Sequence, residues 1–317
     1  MNNHYTIGID VGGTNTVAGI VNKRGEIVAS SSIKTSKHED IEDYMIELSA
    51  LIHALLEQNG ISKSQIRGIG VGAPCANYHT GCIEAAANLR WKGVIPFAKL
   101  LETRVGIPVT LTNDANAAAI GEMMYGAARG MKDFILITLG TGVGSGIVSN
   151  GQLVCGHDGF AGELGHVTIR RDGRSCGCGR SGCLETYTSA TGVMRTAQEL
   201  LEKSSDHSML RNIPVTEITS KDVFDAAIAG DQMAIDIFEH TGEILGEAFA
   251  DFVAFSSPEA IILFGGLSKA GDIIMKPIRT SMEKNLVSIY QNKVKLLFSE
   301  LPENDAAILG ASALGWE

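Results

Sequence analysis

The sequence lacks the features of a membrane protein or a nucleic-acid-binding protein. It has no run of about 18 apolar residues and no long stretch of Lys or Arg. Its 26 basic and 36 acidic residues give a net charge of −10, whereas binding of a phosphate backbone requires a basic face. The polar start leads directly into a strand pattern, so no signal peptide is predicted. We therefore expect a cytoplasmic protein with no nucleic-acid or membrane partner, acting on a small molecule.

Two common nucleotide-binding motifs are also missing. A P-loop is excluded because no Gly-Lys pair is followed by Ser or Thr. A dinucleotide fingerprint is disfavoured because the glycines at 140–146 do not have the required spacing. Prolines number only 7 against 37 glycines, and no low-complexity linker is visible. Domain boundaries must therefore be inferred from the motifs that are present.

The order of predicted strands and helices indicates an α/β protein of two domains. A chain of 317 residues exceeds what one core usually serves. Alternating strands and helices predict layers with mainly parallel sheets. A glycine hairpin near residue 146 resembles one near residue 19, which indicates an internal repeat, although such hairpins are common enough to coincide. Helices are predicted over 39–59, 192–203, 220–229, 231–256 and 272–286, and strands over Tyr5–Asp10, Ile66–Val71, Pro108–Thr112, Phe134–Leu139 and Ala260–Phe264.

Three strands each run into a glycine turn, at Asp10–Thr14, Gly140–Gly144 and Phe264–Gly266. Glycine is needed where backbone N–H groups approach phosphate oxygens closely or where φ is positive. Each turn could therefore hold part of a nucleotide. The carboxylate of Asp10, at the end of a buried strand, could hold Mg²⁺ or could simply form the turn.

A further acidic residue, Asp114, follows the strand pattern at 108–112 and begins an alanine-rich helix. Either Asn113 or Asp114 could merely cap that helix. An enzyme that transfers a phosphoryl group from a nucleotide to a hydroxyl, however, needs a carboxylate within hydrogen-bond reach of that hydroxyl, because hydroxyl groups are poor nucleophiles. Asp114 is the candidate base, and Asn113 could bind the substrate directly.

Cysteines are concentrated in one short segment. Three of the six, Cys176, Cys178 and Cys183, lie within eight residues and follow His166. A Cys₃His set is a common structural zinc site, and thiolates favour zinc over Mg²⁺. Cys155 and His157 could compete as ligands, but the spacing favours His166. Cys75 and Cys82 are expected to be small buried or loop residues.

These motifs resemble those of the ROK family of sugar kinases and sugar-responsive repressors. The matching segments are Ile7–Asn15, Leu111–Ala117, Gly162–His166 and Cys176–Glu185, and the resemblance extends from Ile7 to the end of the chain. It implies two actin-like, ribonuclease H-like domains with an interdomain cleft. The smaller would cover 1–114 with a C-terminal helix at about 304–317, and the larger, 115–303, would carry the zinc loop. A homodimer or homotetramer is also implied.

The resemblance assigns residues to each ligand. For ATP and its Mg²⁺ it implies Asp10, Gly12, Gly13, Thr14, Asn15, Gly140, Thr141, Gly142, Gly265 and Gly266. For the hexose it implies Gly72, Ala73, Pro74, Asn88, Asn113, Asp114, Glu163, His166 and Glu185. Structural Zn²⁺ would be held by His166, Cys176, Cys178 and Cys183. Trp91 belongs to the sugar-contacting segment, and Cys75 departs from the family pattern, which usually has glycine there.

The stretch Cys183–Gly192 most resembles the glucokinase branch, which implies phosphorylation of glucose at O6. N-acetylmannosamine, fructose and allose are alternative substrates. A rival class is the sugar-sensing repressor, which would carry a helix-turn-helix domain before its first phosphate loop, whereas only six residues precede Ile7 here. A sugar sensor without catalysis is disfavoured by Asp114 and by the intact loop at Asp10–Thr14.

Overall fold

The computed structural model describes residues 4–86, 88–302 and 305–316. They form two compact units: the first comprises residues 1–132, 146–162 and 299–317, and the second comprises 133–145 and 163–298. The domain boundaries predicted near residues 114 and 303 remain predictions. Positions 1, 303, 304 and 317, which bound the predicted domains, lie outside the described residues.

The strands in chain order are β1 (Tyr5–Val11), β2 (Thr16–Asn22), β3 (Ile27–Ile33), β4 (Ile66–Gly72), β5 (Ala76–Asn77), β6 (Cys82–Glu84), β7 (Val94–Ile95), β8 (Val109–Thr112), β9 (Phe134–Leu139), β10 (Val143–Ser149), β11 (Gln152–Leu153), β12 (Ala260–Phe264) and β13 (Lys295–Phe298). The helices are α1 (Ile41–Gln58), α2 (Phe97–Val105), α3 (Asp114–Tyr125), α4 (Glu185–Thr188), α5 (Ala190–Lys203), α6 (Ser220–Ile228), α7 (Gln232–Ser256), α8 (Asp272–Asn285) and α9 (Ala306–Leu314). The helices predicted from periodicity are confirmed as α1, α5, α6, α7 and α8 to within about two residues at each end.

The two large sheets have corresponding strand orders, β3-β2-β1-β4-β8 and β11-β10-β9-β12-β13. In the first, β1, β2 and β3 pair antiparallel, whereas β4 joins β1 and β8 in parallel. In the second, β12 pairs in parallel with β9 and β13. The predicted α/β class is confirmed, and the strands joined by the predicted hairpins pair antiparallel, because short turns can join only antiparallel neighbours. The shared order supports the internal repeat.

Helix α9 is buried almost along its whole length against the first sheet. A Cβ at Gly8 would lie 2.0 Å from the carbonyl oxygen of Ile308, and one at Gly70 would lie 1.8 Å from that of Ala311. Backbone therefore touches backbone, and only glycine permits this approach. Strands β1 and β4 are thus packed directly against the backbone of α9.

The second glycine run differs from the predicted turn. Strand β10 begins at Val143, so Gly144 and Gly146 are strand residues. A Cβ at Gly146 would lie 2.6 Å from Cβ of Ala119 and 2.9 Å from the carbonyl oxygen of Ala115. Gly146 is needed for close packing of β10 on α3, and the turn itself is confined to residues 140–142.

Among the described helices, none combines the length and the apolar composition needed to cross a membrane.

Candidate active site and metal centre

In the first unit, the carboxyl ends of three parallel strands bring candidate residues to one edge of the sheet. Asp10 of β1 is in register with Gly72 of β4, and Gly72 is in register with Thr112 of β8. The chain then continues from Thr112 through Asn113 into α3. Open α/β sheets bind ligands at such strand ends. Sequence positions 10, 72 and 114 therefore meet at one place.

Asn113, and not Asp114, caps helix α3. The Oδ1 of Asn113 accepts a hydrogen bond of 2.7 Å from the backbone N–H of Asn116. Asp114 is exposed, and its Oδ1 accepts a local bond of 2.9 Å from the N–H of Ala115. The cap uses only the acceptor of the Asn113 amide, so its NH₂ group is not needed there. Asp114 is thus available for chemistry that a capping residue could not perform.

The two carboxylates at this edge affect each other. Burial, and secondarily the negative charge of Asp114, raises the pKa of Asp10 from 3.8 to about 6. A bound cation beside Asp10 would oppose both effects, because it favours the ionised form. Oxygen ligands of this kind suit Mg²⁺. Asp10 therefore fits the expected role of a magnesium ligand on its chemistry.

The glycine turn after β1 packs against the segment that contains Asn88. The N–H of Gly12 donates to the carbonyl of Asn15 at 3.0 Å and closes the turn. A Cβ at Gly13 would lie 2.6 Å from the backbone oxygen of Asn88. Thr14, Asn15 and Asn88 are exposed. The structure therefore brings a predicted nucleotide residue and a predicted sugar residue into direct backbone contact.

The segment after β4 has one strained position. Ala73 is fully buried and its N–H donates to the carbonyl of Thr112 at 3.0 Å, which ties the segment to β8. Cys75, which follows Pro74, has φ of +52°. Glycine favours such a left-handed backbone, and a residue with a Cβ adopts it at a cost of about 1–2 kcal/mol. The cysteine thus keeps the backbone shape that the usual glycine would give.

In the second unit, the turn between β9 and β10 is held by a carboxylate. The N–H of Gly140 donates to the carbonyl of Gly142 at 3.0 Å, and Thr141 is exposed. The Oε2 of Glu185 accepts from the N–H of Val143 at 3.4 Å. A Cβ at Gly142 would lie 2.7 Å from this oxygen. Gly142 is therefore required so that Glu185 can lie against the turn.

The other glycine turn of this unit follows β12. Gly265 has φ of +102°, and a Cβ there would lie 2.7 Å from the carbonyl oxygen of Leu139 at the end of β9. Gly266 is exposed. The two turns of the second unit thus lie at the ends of neighbouring parallel strands, as Asp10 and Gly72 do in the first unit.

The four predicted zinc ligands are brought together. One ligand atom from each of His166, Cys176, Cys178 and Cys183 lies within 4.8 Å of every other. The sulfurs of Cys178 and Cys183 are 3.7 Å apart, and that of Cys176 is 3.6 Å from Nδ1 of His166. Tetrahedral zinc with Zn–S bonds of about 2.3 Å separates its sulfurs by about 3.8 Å. The cluster therefore has the size and the chemistry that a zinc ion requires.

The loop carrying these ligands depends on glycine at one point. Gly182 has φ of +75°, and a Cβ there would lie 1.6 Å from the carbonyl oxygen of Arg170. Burial raises the pKa of Cys176 and of Cys183, whereas the pKa of Cys178 is lowered, chiefly by a hydrogen bond from the backbone N–H of Arg180. A metal ion would favour the thiolate at all three positions. Among the described residues, the group suited to a metal includes neither Cys155 nor His157.

His166 links this cluster to two carboxylates. Its Nδ1 lies 3.5 Å from Oε1 of Glu185, and its Nε2 lies 4.0 Å from Oε2 of Glu163. The sulfur of Cys176 is also 3.0 Å from Oε1 of Glu185. Since the two ring nitrogens are distinct, the nitrogen beside the cysteines can bind metal while the other faces Glu163. Predicted metal and sugar residues thus share one small region.

Arg174 is a supporting residue that the sequence motifs did not reveal. It makes a two-pronged ion pair with Glu199, at 2.9 and 3.0 Å, and donates to the backbone oxygens of Thr186 and Gly192. Its guanidinium also lies 4.5 Å from the ring centre of Tyr187. Arg174 thereby fixes the cysteine loop to α4 and α5. Its partners are scattered along the chain, so no local pattern identifies them.

Comparison with known proteins gives a consistent picture. The family model described as ROK family matches residues 6–317. A glucokinase of Halalkalibacterium halodurans is 38% identical over 319 residues, which covers 100% of this chain and 95% of the relative. The crystal structure of a ROK family glucokinase from Streptomyces griseus in complex with glucose and AMPPNP is 34% identical, with a TM-score of 0.77 and 98% of each chain covered.

Regulatory proteins are also similar to this chain, at lower identity. A xylose repressor of Caldicellulosiruptor bescii is 29% identical over 310 residues, covering 97% of this chain and 77% of the repressor. Likeness to enzymes and to regulators therefore coexists, and the side chains of the site must decide between them.

Proposed function

The chain belongs to the ROK family, and we propose that it is an ATP-dependent hexose kinase that converts glucose to glucose 6-phosphate with Asp114 as general base. The observation that carries the proposal is the exposed carboxylate of Asp114, which lies on the same sheet edge as Asp10. Asn113, and not Asp114, caps the helix. A regulator that only bound sugar would not need a general base beside Asp10, the candidate magnesium ligand. The similarity to a glucokinase crystallised with glucose and AMPPNP supports the same activity.

In the proposed reaction, the O6 oxygen of glucose attacks the γ-phosphorus of ATP. The bond from that phosphorus to the leaving oxygen of ADP breaks, and the O6 proton passes to the carboxylate of Asp114. Because the transition state is loose, Asp114 mainly orients the hydroxyl and accepts its proton late. The products are glucose 6-phosphate, ADP and a proton, which leaves Asp114 by exchange with solvent.

We assign the ATP phosphates to the glycine turns. The turn at Gly12–Asn15 and the turns at Gly140–Gly142 and Gly265–Gly266 offer backbone N–H groups without a Cβ in the way. Asp10 would hold Mg²⁺, directly or through water, and the ion would supply charge neutralisation on the phosphates. The shape of these turns is fixed by the packing of their glycines before any ligand binds.

We assign the glucose hydroxyls to the residues that the family resemblance implies, which are Asn88, Asn113, Asp114, the segment Gly72–Pro74, Glu163, His166 and Glu185. Carboxylate and imidazole groups that hydrogen-bond several hydroxyls discriminate well against sugars that lack a matching hydroxyl.

We further propose that the Cys₃His cluster binds a structural zinc ion. With His166, Cys176, Cys178 and Cys183 as ligands, all four tetrahedral positions come from the protein, which leaves none for a reactive water. The ion would fix the loop that presents Glu163 and Glu185. Its contribution is therefore to order the sugar contacts, and the chemistry rests with Asp114.

The test is a panel of hexoses with ATP. Purified protein with measured zinc content is assayed for ADP release with glucose, fructose, allose and N-acetylmannosamine. We expect the largest kcat/KM with glucose. Asp225→Asn, which alters an exposed carboxylate paired with Lys221, serves as the control and should behave like the parent protein. Folded, zinc-containing protein that releases no ADP with any hexose would overturn the kinase proposal and favour a regulator.

A further inference from the structure

Helix α3 carries a second carboxylate, Glu122, that is completely buried. Its exposed fraction is 0%, and it lies eight residues after Asp114 on the same helix. Eight residues correspond to about 12 Å along a helix axis. A carboxylate removed from water at this depth requires hydrogen-bond donors or it destabilises the fold. The donors of Glu122 therefore indicate what it holds.

These donors come from two separate segments of chain. On one side, the N–H of Ala127 donates to Oε2 at 2.7 Å. On the other side, the hydroxyl of Ser299 donates to Oε1, and the nearby backbone N–H groups of Glu300 and Leu301 favour the charged carboxylate. Burial raises the pKa of Glu122, and each of these bonds opposes that rise because it favours the ionised form. One side chain thus binds Ala127, five positions away, and Ser299, 177 positions away.

Both segments are places where the chain passes between the two compact units. The chain passes between the units four times; it first leaves the first unit after residue 132, soon after Ala127, and enters it for the last time at Ser299. All of the donors named above belong to the first unit. Through these bonds, Glu122 joins the end of α3 to the segment at Ala127 and to the segment at Ser299, both of which belong to the first unit.

The fit around the carboxylate leaves little freedom. A Cβ at Gly126 would lie 2.0 Å from Oε2 of Glu122, so any side chain there would displace the carboxylate. On the side of α9, a Cβ at Gly121 would lie 2.7 Å from the Cα of Gly310. Helix α3 is thus held at this end by backbone packing and by the Glu122 bonds together.

We propose that Glu122 is a positioning residue for phosphoryl transfer, which fixes α3, and with it Asp114, to two of the four segments through which the chain passes between units. The inference rests on the proposed kinase function. Sugar kinases must exclude water from the reaction, which requires movement at segments of this kind. Holding both segments on the helix that bears the base keeps Asp114 at its working distance from the accepting hydroxyl while they move. Small errors in that distance lower kcat strongly.

The test compares Glu122→Gln with Asp231→Asn. Asp231 is a matched control because it is also a buried carboxylate that accepts from a serine hydroxyl, Ser208, and from the N–H of Ala234, but within the second unit. Both changes keep side-chain shape and remove one negative charge. We expect Glu122→Gln to lower kcat about tenfold, with KM for glucose and ATP within about twofold, whereas Asp231→Asn lowers Tm and leaves kcat within about twofold.

Hydrogen exchange followed by mass spectrometry provides a readout that does not depend on catalysis. In Glu122→Gln, amides of 126–132 and 299–302 should exchange about tenfold faster, and in Asp231→Asn they should not change. Ser299→Ala, which removes one donor and is easier to accommodate, should speed exchange of the same amides by a smaller factor. Ser299→Thr keeps a hydroxyl donor and should show the exchange rates of the parent protein.

The outcomes separate the two proposals. Equal loss of kcat in Glu122→Gln and Asp231→Asn, or full activity in Glu122→Gln, would leave Glu122 a purely structural residue and overturn the inference. Unchanged exchange in 126–132 and 299–302 would also overturn it. If the parent protein itself produces no glucose 6-phosphate, the kinase proposal fails, and the catalytic role of Glu122 fails with it, whatever the exchange data show.

Discussion

The sheet edge around Asp114 and the cysteine loop around His166 each hold candidate site residues in position, but by different means. At the sheet edge, strand register places Asp10 and Gly72 side by side, and helix α3 presents the base. In the cysteine loop, four ligand atoms converge within 4.8 Å on a segment with little regular structure. The first arrangement is maintained by backbone hydrogen bonds and core packing. The second relies on local turns, on Arg174 and, by our proposal, on a metal ion.

This difference predicts that some substitutions abolish turnover and leave the fold intact, whereas others lower metal content and stability. Changes at the sheet edge should affect turnover while the fold persists, because the strands do not depend on the carboxylates. Changes in the loop should affect metal content and stability first, because the proposed ion joins four side chains of this segment to one another.

The largest expected effect follows replacement of Asp114 by alanine. Without a group to orient the hydroxyl and accept its proton, kcat should fall by about 10²–10⁴-fold, while the far-UV circular dichroism spectrum and Tm stay close to those of the parent. Coupled assays of ADP release measure the rate, with Asp225→Asn as control. Turnover within threefold of the parent would remove Asp114 from the mechanism.

A smaller effect, on order and not on chemistry, is expected for Cys178→Ser. Cys178 is exposed, so the change leaves no buried cavity. Zinc content should fall from about one ion per chain to near zero, and the free energy of unfolding in zinc-containing buffer should fall by roughly 3 kcal/mol. Metal analysis and thermal denaturation are the measurements, and Cys82→Ser, outside the cluster, is the control. Unchanged zinc would show that the ligand set is wrong.

Asp10→Asn tests the electrostatics of the sheet edge. Because its folded pKa is raised from 3.8 to about 6, Asp10 stabilises the fold below pH 4, and this contribution is lost as pH rises through 6. The asparagine variant lacks this loss. Without Mg²⁺, it should be more stable than the parent by about 3 kcal/mol at pH 7.5 and no more stable near pH 4. Thermal denaturation across this range measures it, and parallel curves for the two proteins would contradict the raised pKa.

The smallest effect concerns Cys75→Gly. Glycine relieves the cost of a positive φ but adds freedom to the unfolded chain, so the free energy of unfolding should rise by only about 0.5 kcal/mol. Cys82→Gly, in strand β6, is the matched control and should be destabilising. Urea denaturation compares the two. A loss of stability in Cys75→Gly would show that the thiol makes a contact that outweighs the backbone strain.

Sequence patterns predicted the elements and groups that are local in the chain. The periodicity of α1 and α7, the strand that ends at Asp10 and the spacing of three cysteines each depend on residues a few positions apart. The glycines were harder to interpret: the predicted phosphate turn extended to Gly144, which lies in strand β10, and the next glycine, Gly146, packs against α3. A glycine has the same appearance in a sequence whether a ligand or a neighbouring helix approaches it.

The supporting residues could not be predicted for a related reason. Arg174 meets Glu199, and Glu122 meets Ser299, only after sheets and helices have assembled. Charged residues of these types are common on helices and usually exposed. Their burial and their partners are set by tertiary packing, which no spacing rule captures.

The most direct measurement is product identification by ³¹P and ¹³C NMR after incubation with ATP, Mg²⁺ and glucose, run in parallel with Asp114→Asn. We expect equal amounts of ADP and glucose 6-phosphate from the parent protein. We expect almost no glucose 6-phosphate from the variant, although calorimetry should show that the variant still binds glucose. Phosphate at another position of the sugar, or equal product from Asp114→Asn, would contradict the proposed function.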